Sequence, residues 1–311
     1  MAKPRLAKVN FTKFFWTHIS HPTELETNQL AHLFKFQPAD LKEILPPVQR
    51  PKLVERDNYI FMILLYPLYD RSTRKIHPVE VDFLIGQDFL ISSSSEEYAP
   101  ISGFFNHFKK ETEKKDSKNL PVSAVELLFE LLQKLEQYCL PMSIHISNDI
   151  DKVENEVFAS TAKEETINEV LRIKTNIVNF RKSMNRHTRV LQHLIGKISG
   201  KFSSFTADKF KDLVYDTEDL WEMLENYQDT IEAIHDSQLS LLNYRSNATM
   251  QIFTIFTSII FSLELAIGLI SLFTDESLLF YGDLRGVLAV SGALALIWIL
   301  MVFYFKKKRW L

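Results

Sequence analysis

From residue 207 to residue 273 the chain carries one unbroken helical pattern, with no proline and a single glycine, Gly268. At about 1.5 Å per residue such a helix is roughly 100 Å long, too long to pack inside one globular domain of this size. Its last third, from about Met250, is apolar enough to enter a bilayer. The pattern therefore predicts a cytoplasmic stalk that becomes a transmembrane helix.

Two features of this rod point to a bundle around an axis. In its soluble half, Leu213, Leu220, Leu224, Tyr227, Ile231, Ile234 and Leu241 recur in steps close to coiled-coil spacing. In its membrane half the same stepping collects Asn247, Met250, Thr254, Thr257, Phe261, Glu264, Gly268 and Ser271, while Ile252, Ile255, Ile259, Ile260, Leu263, Ile267 and Ile270 fall elsewhere. One polar stripe on an apolar helix means one face away from lipid, either lining water or packing as a small-residue seam on a neighbouring helix. Glu264 favours water, because a carboxylate near mid-membrane is costly unless it faces a cavity or a partner.

Ahead of the rod the text is shorter-ranged. Phe14, Phe15 and Trp16 predict a strand, and residues 23–34 a helix that Thr23 can cap. After the prolines at 38, 46, 47 and 51, the apolar run 59–66, a polar turn at 70–75, the alternation Val79, Val81, Phe83, Ile85 and the run 89–92 predict a sheet with short helices around it. Residues 94–120 read as a short helix and a solvated, charged loop. Helices follow at 125–138, at 143–158 after Pro141, and at 167–198, the last with Val170, Ile173, Ile177, Phe180, Met184 and Leu191 on one side. Residues 200–206 turn the chain, and Thr206 can cap the rod.

A second apolar stretch, 286–305, contains no charge and is long enough to span the hydrocarbon. It ends in Lys306, Lys307, Lys308, Arg309 and Trp310, whereas the link between the spans holds Asp275, Glu276 and Asp283 against Arg285 alone. The positive-inside rule then places both termini in the cytoplasm of a multi-pass protein of the inner or plasma membrane, embedded in lipid. The expected boundaries are a cytoplasmic α/β domain with long helices at 1–205, a stalk at 206–249, a first transmembrane helix at 250–273, an extracytoplasmic loop at 274–285, a second transmembrane helix at 286–305 and a basic tail at 306–311. Two spans cannot enclose a wide aqueous path, so a pore requires a ring of subunits.

A net charge of −3 over 311 residues provides no global basic field, so no nucleic-acid polymer is expected as partner. Cys139 is the only cysteine, which excludes an internal disulfide and a cysteine-based zinc cluster. The first ten residues have basic side chains but no apolar run behind them, so they do not form a signal peptide. No phosphate loop, nucleophile elbow or zinc-protease motif is present, so no catalytic residues, enzyme activity or cofactor are expected. His18 and His21 are spaced like metal ligands but lack convergent donors.

Several stretches resemble the CorA family of divalent-cation channels, in the family's order and over nearly the whole chain. These are Gln49-Arg50-Pro51-Lys52 before Tyr59-Ile60-Phe61, Tyr215-Asp216, Asn247 with Met250, Phe253-Thr254-Ile255, and Tyr304-Phe305-Lys306-Lys307-Lys308-Arg309-Trp310-Leu311. The resemblance implies a funnel-shaped homopentamer, an α/β cytoplasmic domain, a long pore helix and magnesium as the most expected divalent substrate. It also implies that Asp216, with Asp219 beside it, takes part in cytoplasmic metal sensing between subunits. Five copies of Glu264 would form a carboxylate ring, which suits hard cations. Phe253 and Phe261 are candidates for constrictions that gate by dewetting.

The chain also departs from that family. Where the usual signature has Gly-Met-Asn at the end of the first membrane helix, this chain has Ser271-Leu272-Phe273. Tyr281-Gly282-Asp283 lies about ten residues too late to replace it. Ser262 stands where a proline is usual, and Glu264 where a neutral hydroxyl is usual. The reading is a CorA-like channel for divalent cations gated by cytoplasmic metal; the alternative is a membrane effector of bacterial immunity on the same scaffold, opened by a small nucleotide ligand.

Overall fold

The computed structural model describes residues 6–114, 120–159, 164–198, 204–274 and 284–307. It divides into two compact units, Met1–His235 and Asp236–Leu311. The first contains strands β1 (Ala7–Asn10), β2 (Phe15–Ser20), β3 (Lys52–Glu55), β4 (Ile60–Asp70), β5 (Lys75–Ile85) and β6 (Phe89–Ser94), in the order β1-β2-β6-β5-β4-β3. β2 and β6 pair in parallel and the other neighbours antiparallel. β4 reads as a continuous apolar run because both of its faces are covered. On one face, Phe61, Ile63, Leu84 and Ile91 pack with Leu30 and Leu41 of helices α1 (Glu24–Leu33) and α2 (Pro38–Glu43). On the other face Trp16 meets Phe105 of α3 (Ala99–Thr112) edge-on, at 4.9 Å between ring centroids. Thr23 caps α1 as expected, in a capping box with Glu26.

Three polar networks lie within this apolar frame. Asp40, 2% exposed, accepts two bonds from Arg56 (Nε at 2.9 Å, Nη2 at 2.6 Å) and one from the Tyr59 hydroxyl at 2.6 Å. Burial pushes its carboxyl up, but the bonds from Arg56 and Tyr59 prevail and hold its pKa below the ordinary value. On β5, burial raises the pKa of Asp82 well above the ordinary range and that of Glu80 above its ordinary value, and the neighbouring Glu80 carboxyl pushes Asp82 further up. His18 is buried, with Nδ1 3.0 Å from the Ser92 hydroxyl; burial lowers its pKa to about 4 against the opposing effect of a hydrogen bond with the Ser92 backbone, so it is a neutral core residue. Among the described residues no group of three or more His, Cys, Asp or Glu is placed to hold a metal ion.

The helices differ from the sequence expectation in three places. The segments expected on either side of Pro141 form one helix, α4 (Ala124–Phe158), with Pro141 inside it. Proline removes one intrahelical donor, and burial of one side of the helix from Val125 to Val157 outweighs that loss. Conversely, the helix expected over 167–198 is two, α5 (Glu164–Met184) and α6 (His187–Ile198), broken where Arg186 takes the left-handed φ of 71°. The rod, α7 (Ser204–Thr274), starts two residues before Thr206, which therefore lies inside it.

The soluble seam of α7 is buried, but within its own subunit. Leu213, Leu220, Leu224, Ile231 and Ile234 are at most 3% exposed. Phe210 packs edge-on against Phe129 of α4, and Arg181 of α5 lies 5.0 Å over the Trp221 ring and pairs with Glu225 at 3.0 Å. Packing on α4 and α5 and association around an axis both bury an i, i+3/i+4 stripe, and within the subunit Tyr227 and Leu241 of the same seam are only half-buried.

The second unit comprises the rest of α7 and α8 (Leu284–Lys307). Both helices are long and apolar enough to cross a membrane.

Candidate ion path and acidic cleft

Every residue of the expected stripe, Asn247, Met250, Thr254, Thr257, Phe261, Glu264, Gly268 and Ser271, is exposed in the single subunit. The half-buried positions are Ala248, Gln251, Ile255, Ser258, Ile259, Ser262 and Ala266, a face rotated from the stripe by about one residue, or ~100°. Most of the small residues of this segment lie there, which separates the half-buried face from the polar one. Ile252, Phe253, Phe256, Ile260 and Leu263 are exposed too, so chemistry, not coverage, distinguishes the stripe from a lipid-type surface.

The stripe hydroxyls are turned to a particular use. Thr254 Oγ1 donates to the Met250 carbonyl and Thr257 Oγ1 to the Phe253 carbonyl, each at 2.8 Å. With the proton spent on the backbone, each hydroxyl presents lone pairs outward, acceptors suited to a cation or its water shell. Gly268 has open space where a Cβ would stand. Ser271, Leu272 and Phe273, the signature-equivalent positions, continue α7 as helix. Asp275 and Glu276 lie outside the described residues.

Asp216 and Asp219 lie one turn apart on α7 and line a cleft of about 330 Å³ with Gln133, Glu136 and Gln137 of α4. The aspartates are exposed and Glu136 is 5% exposed. Glu136 Oε1 is 3.2 Å from the Thr217 hydroxyl and 3.7 Å from Nδ1 of His187, a fully buried residue whose Nε2 meets the Leu65 carbonyl at 2.7 Å. The cleft thus collects three carboxylates that do not form a chelate within one chain. Asp216 and Asp219 fit a cation that keeps its water shell, as magnesium does, or one that a neighbouring chain helps to hold. Sequence reasoning missed Glu136, although a carboxylate on the apolar side of a helix, between Leu132 and Cys139, is a readable anomaly.

The profile of the family described as "CorA-like Mg2+ transporter protein" matches residues 11–267, from the sheet through most of α7. The chain belongs to the CorA family. CorA-family members are membrane transporters, not enzymes. Among curated relatives, the "Cobalt/magnesium transport protein CorA" of Thermotoga maritima is 26% identical, with 95% of this chain and 83% of the relative aligned. The complete CorA magnesium transporter structure from Methanocaldococcus jannaschii superposes with a TM-score of 0.76 at 21% identity, covering 99% of this chain and 95% of that one. The full-length CmaX structure does so with a TM-score of 0.76 at 15% identity, covering 96% and 89%. This CorA chain therefore has the family's α/β unit, long helix and second apolar helix, with Ser271-Leu272-Phe273 at the end of its first span.

Proposed function

We propose that five copies of this chain form a cation channel in which the α7 stripe from Asn247 to Ser271 lines the axis and α8 faces lipid. The observation that carries this reading is the separation of the stripe from the packing face: Glu264, Thr254 and Thr257 lie on the uncovered side, and Ser258, Ser262 and Ala266 on the half-buried one. The transported ions are divalent, with magnesium foremost and cobalt beside it in view of the relative named above. Hydrated divalent cations suit carboxylate and hydroxyl oxygen acceptors. Purified protein in liposomes loaded with a magnesium-sensitive dye should take up magnesium down its gradient. Intact protein of pentameric mass that passes no divalent cation would overturn the proposal.

Asp216 and Asp219, with Glu136 behind them, sense cytoplasmic cation on this reading. A bound cation offsets the mutual repulsion of the carboxylates and stabilises the closed assembly by mass action. Asp216→Asn is expected to lower, by about half or more, the rise in thermal midpoint produced by millimolar magnesium, since one of two exposed ligands is lost. An unchanged rise assigns Asp216 to ordinary solvated surface.

A further inference from the structure

Behind the β4–β5 hairpin lies a cleft of about 470 Å³ unrelated to the ion path, lined by the 48–51 stretch, Leu65, Pro78, Lys182, Asn185 and Arg186. Its size falls in the range of small-molecule sites. Arg50, Lys182 and Arg186 bring three cationic side chains to it, and no acidic residue is in its lining. Neighbouring basic residues of the unit are ion-paired: Arg56 with Asp40, Lys197 with Glu55, Lys52 with Glu43, Arg181 with Glu225. Among the described residues no carboxylate pairs with Arg50, Lys182 or Arg186. Glu80, buried in the sheet, accepts from the Gln49 amide.

The backbone contributes as well. Arg186 holds a left-handed φ of 71° and accepts the first bond of α6, from Val190 N at 3.0 Å, which puts it at the positive end of that helix. The opposite end of α5 is offset by Lys182 in its last turn. Arg186 is a non-glycine residue held in this left-handed conformation, and it lines the cleft together with Arg50 and Lys182.

We propose that this cleft binds a small phosphate-bearing anion, with Arg50, Lys182 and Arg186 as charge-assisted donors and Asn185 as a neutral one, while Leu65 and Pro78 supply apolar wall. Guanidinium groups match phosphate oxygens in pairs, and the ammonium adds a point charge. A soluble phosphate ester and a lipid headgroup share this chemistry. The site is independent of cation conduction.

Inorganic pyrophosphate, titrated calorimetrically into the full-length protein in neutral detergent at physiological ionic strength, is the direct test. Saturable binding is expected. Lys182→Gln with Arg186→Asn, the latter chosen because asparagine tolerates the left-handed backbone, should weaken it by about tenfold or more. Lys109→Gln with Lys110→Gln, an equal charge change on α3, should leave it unaltered. Repeating the titration in phosphatidylcholine and in phosphatidylglycerol vesicles separates the sources: weaker binding only in the latter identifies the headgroup as occupant, and equal binding identifies a soluble ester. Absence of saturable binding by the wild type, or equal binding by the double variant, overturns the proposal.

Discussion

Glu264→Lys is expected to reduce magnesium uptake by at least about two orders of magnitude, since each ~1.4 kcal/mol of added barrier slows passage about tenfold and a ring of ammonium groups repels a divalent cation well beyond that. The argument begins with cost. A carboxylate near the bilayer centre is disfavoured by about 3 kcal/mol on insertion scales unless its surroundings compensate. The apolar stretch of α8 up to Phe305 contains no basic residue and Lys306 lies at its end, so α8 provides no counter-charge at that depth. On the proposed pore reading, water and permeating cations on the axis provide the compensation. Glu264→Gln should assemble normally and conduct less, or with altered preference among magnesium, cobalt and monovalent ions. The measurement is dye-reported uptake by proteoliposomes with equal amounts of assembled protein; wild-type flux and selectivity in both variants would remove Glu264 from the ion path.

The second large effect is on the soluble unit. Arg56→Ala leaves Asp40, 2% exposed, with the Tyr59 hydroxyl as its remaining side-chain partner. Breaking a buried pair from one side costs about 3–5 kcal/mol. Since Arg56 is itself a third exposed at its side chain, solvent screening reduces that cost, and a drop of several degrees in thermal midpoint is expected. The pH dependence distinguishes this loss from a mere packing defect. Asp40 has a lowered folded pKa, so its contribution is present above the unfolded value near 4 and is lost as pH falls through the folded one. The gap between wild type and variant should therefore narrow on acidification. A constant gap from pH 7 down to pH 3 would refute the electrostatic account.

Local chemistry was legible in the sequence and tertiary competition was not. The Thr23 cap, the strands of the hairpin and the two long apolar helices follow from rules that act within a few residues. The fate of Pro141 depended on how much apolar surface α4 buries, and the break at Arg186 on the cleft it borders; neither is encoded nearby. Within the seam from Leu213 to Leu241 the spacing alone does not name the partner, because α4 and α5 of one subunit and a neighbouring copy ask for the same pattern. In the candidate site, the polar stripe was visible in full. Its contrast with the half-buried face of Ser258, Ser262 and Ala266 is visible only in the folded chain. Arg50 was noticed only as part of a motif; Lys182 and Arg186, more than a hundred residues later, reach the same cleft through the fold alone.

The Asp82–Glu80 pair makes the soluble unit a proton reservoir. With its pKa raised well above the usual range by burial, Asp82 keeps its proton in the folded protein at pH values where the unfolded chain has released it. Unfolding at a pH between the ordinary carboxyl value and the folded one should therefore liberate protons to the buffer. The calorimetric enthalpy measured in phosphate, whose ionisation absorbs little heat, should differ from that in Tris, whose ionisation absorbs much, and Asp82→Asn should shrink the difference. By the same linkage the pair makes stability fall as pH climbs from about 4 toward the folded pKa, opposite in sign to Asp40. Asp40 and Asp82 thus bias the stability of the unit in opposite directions, Asp40 against acidification and Asp82 against rising pH.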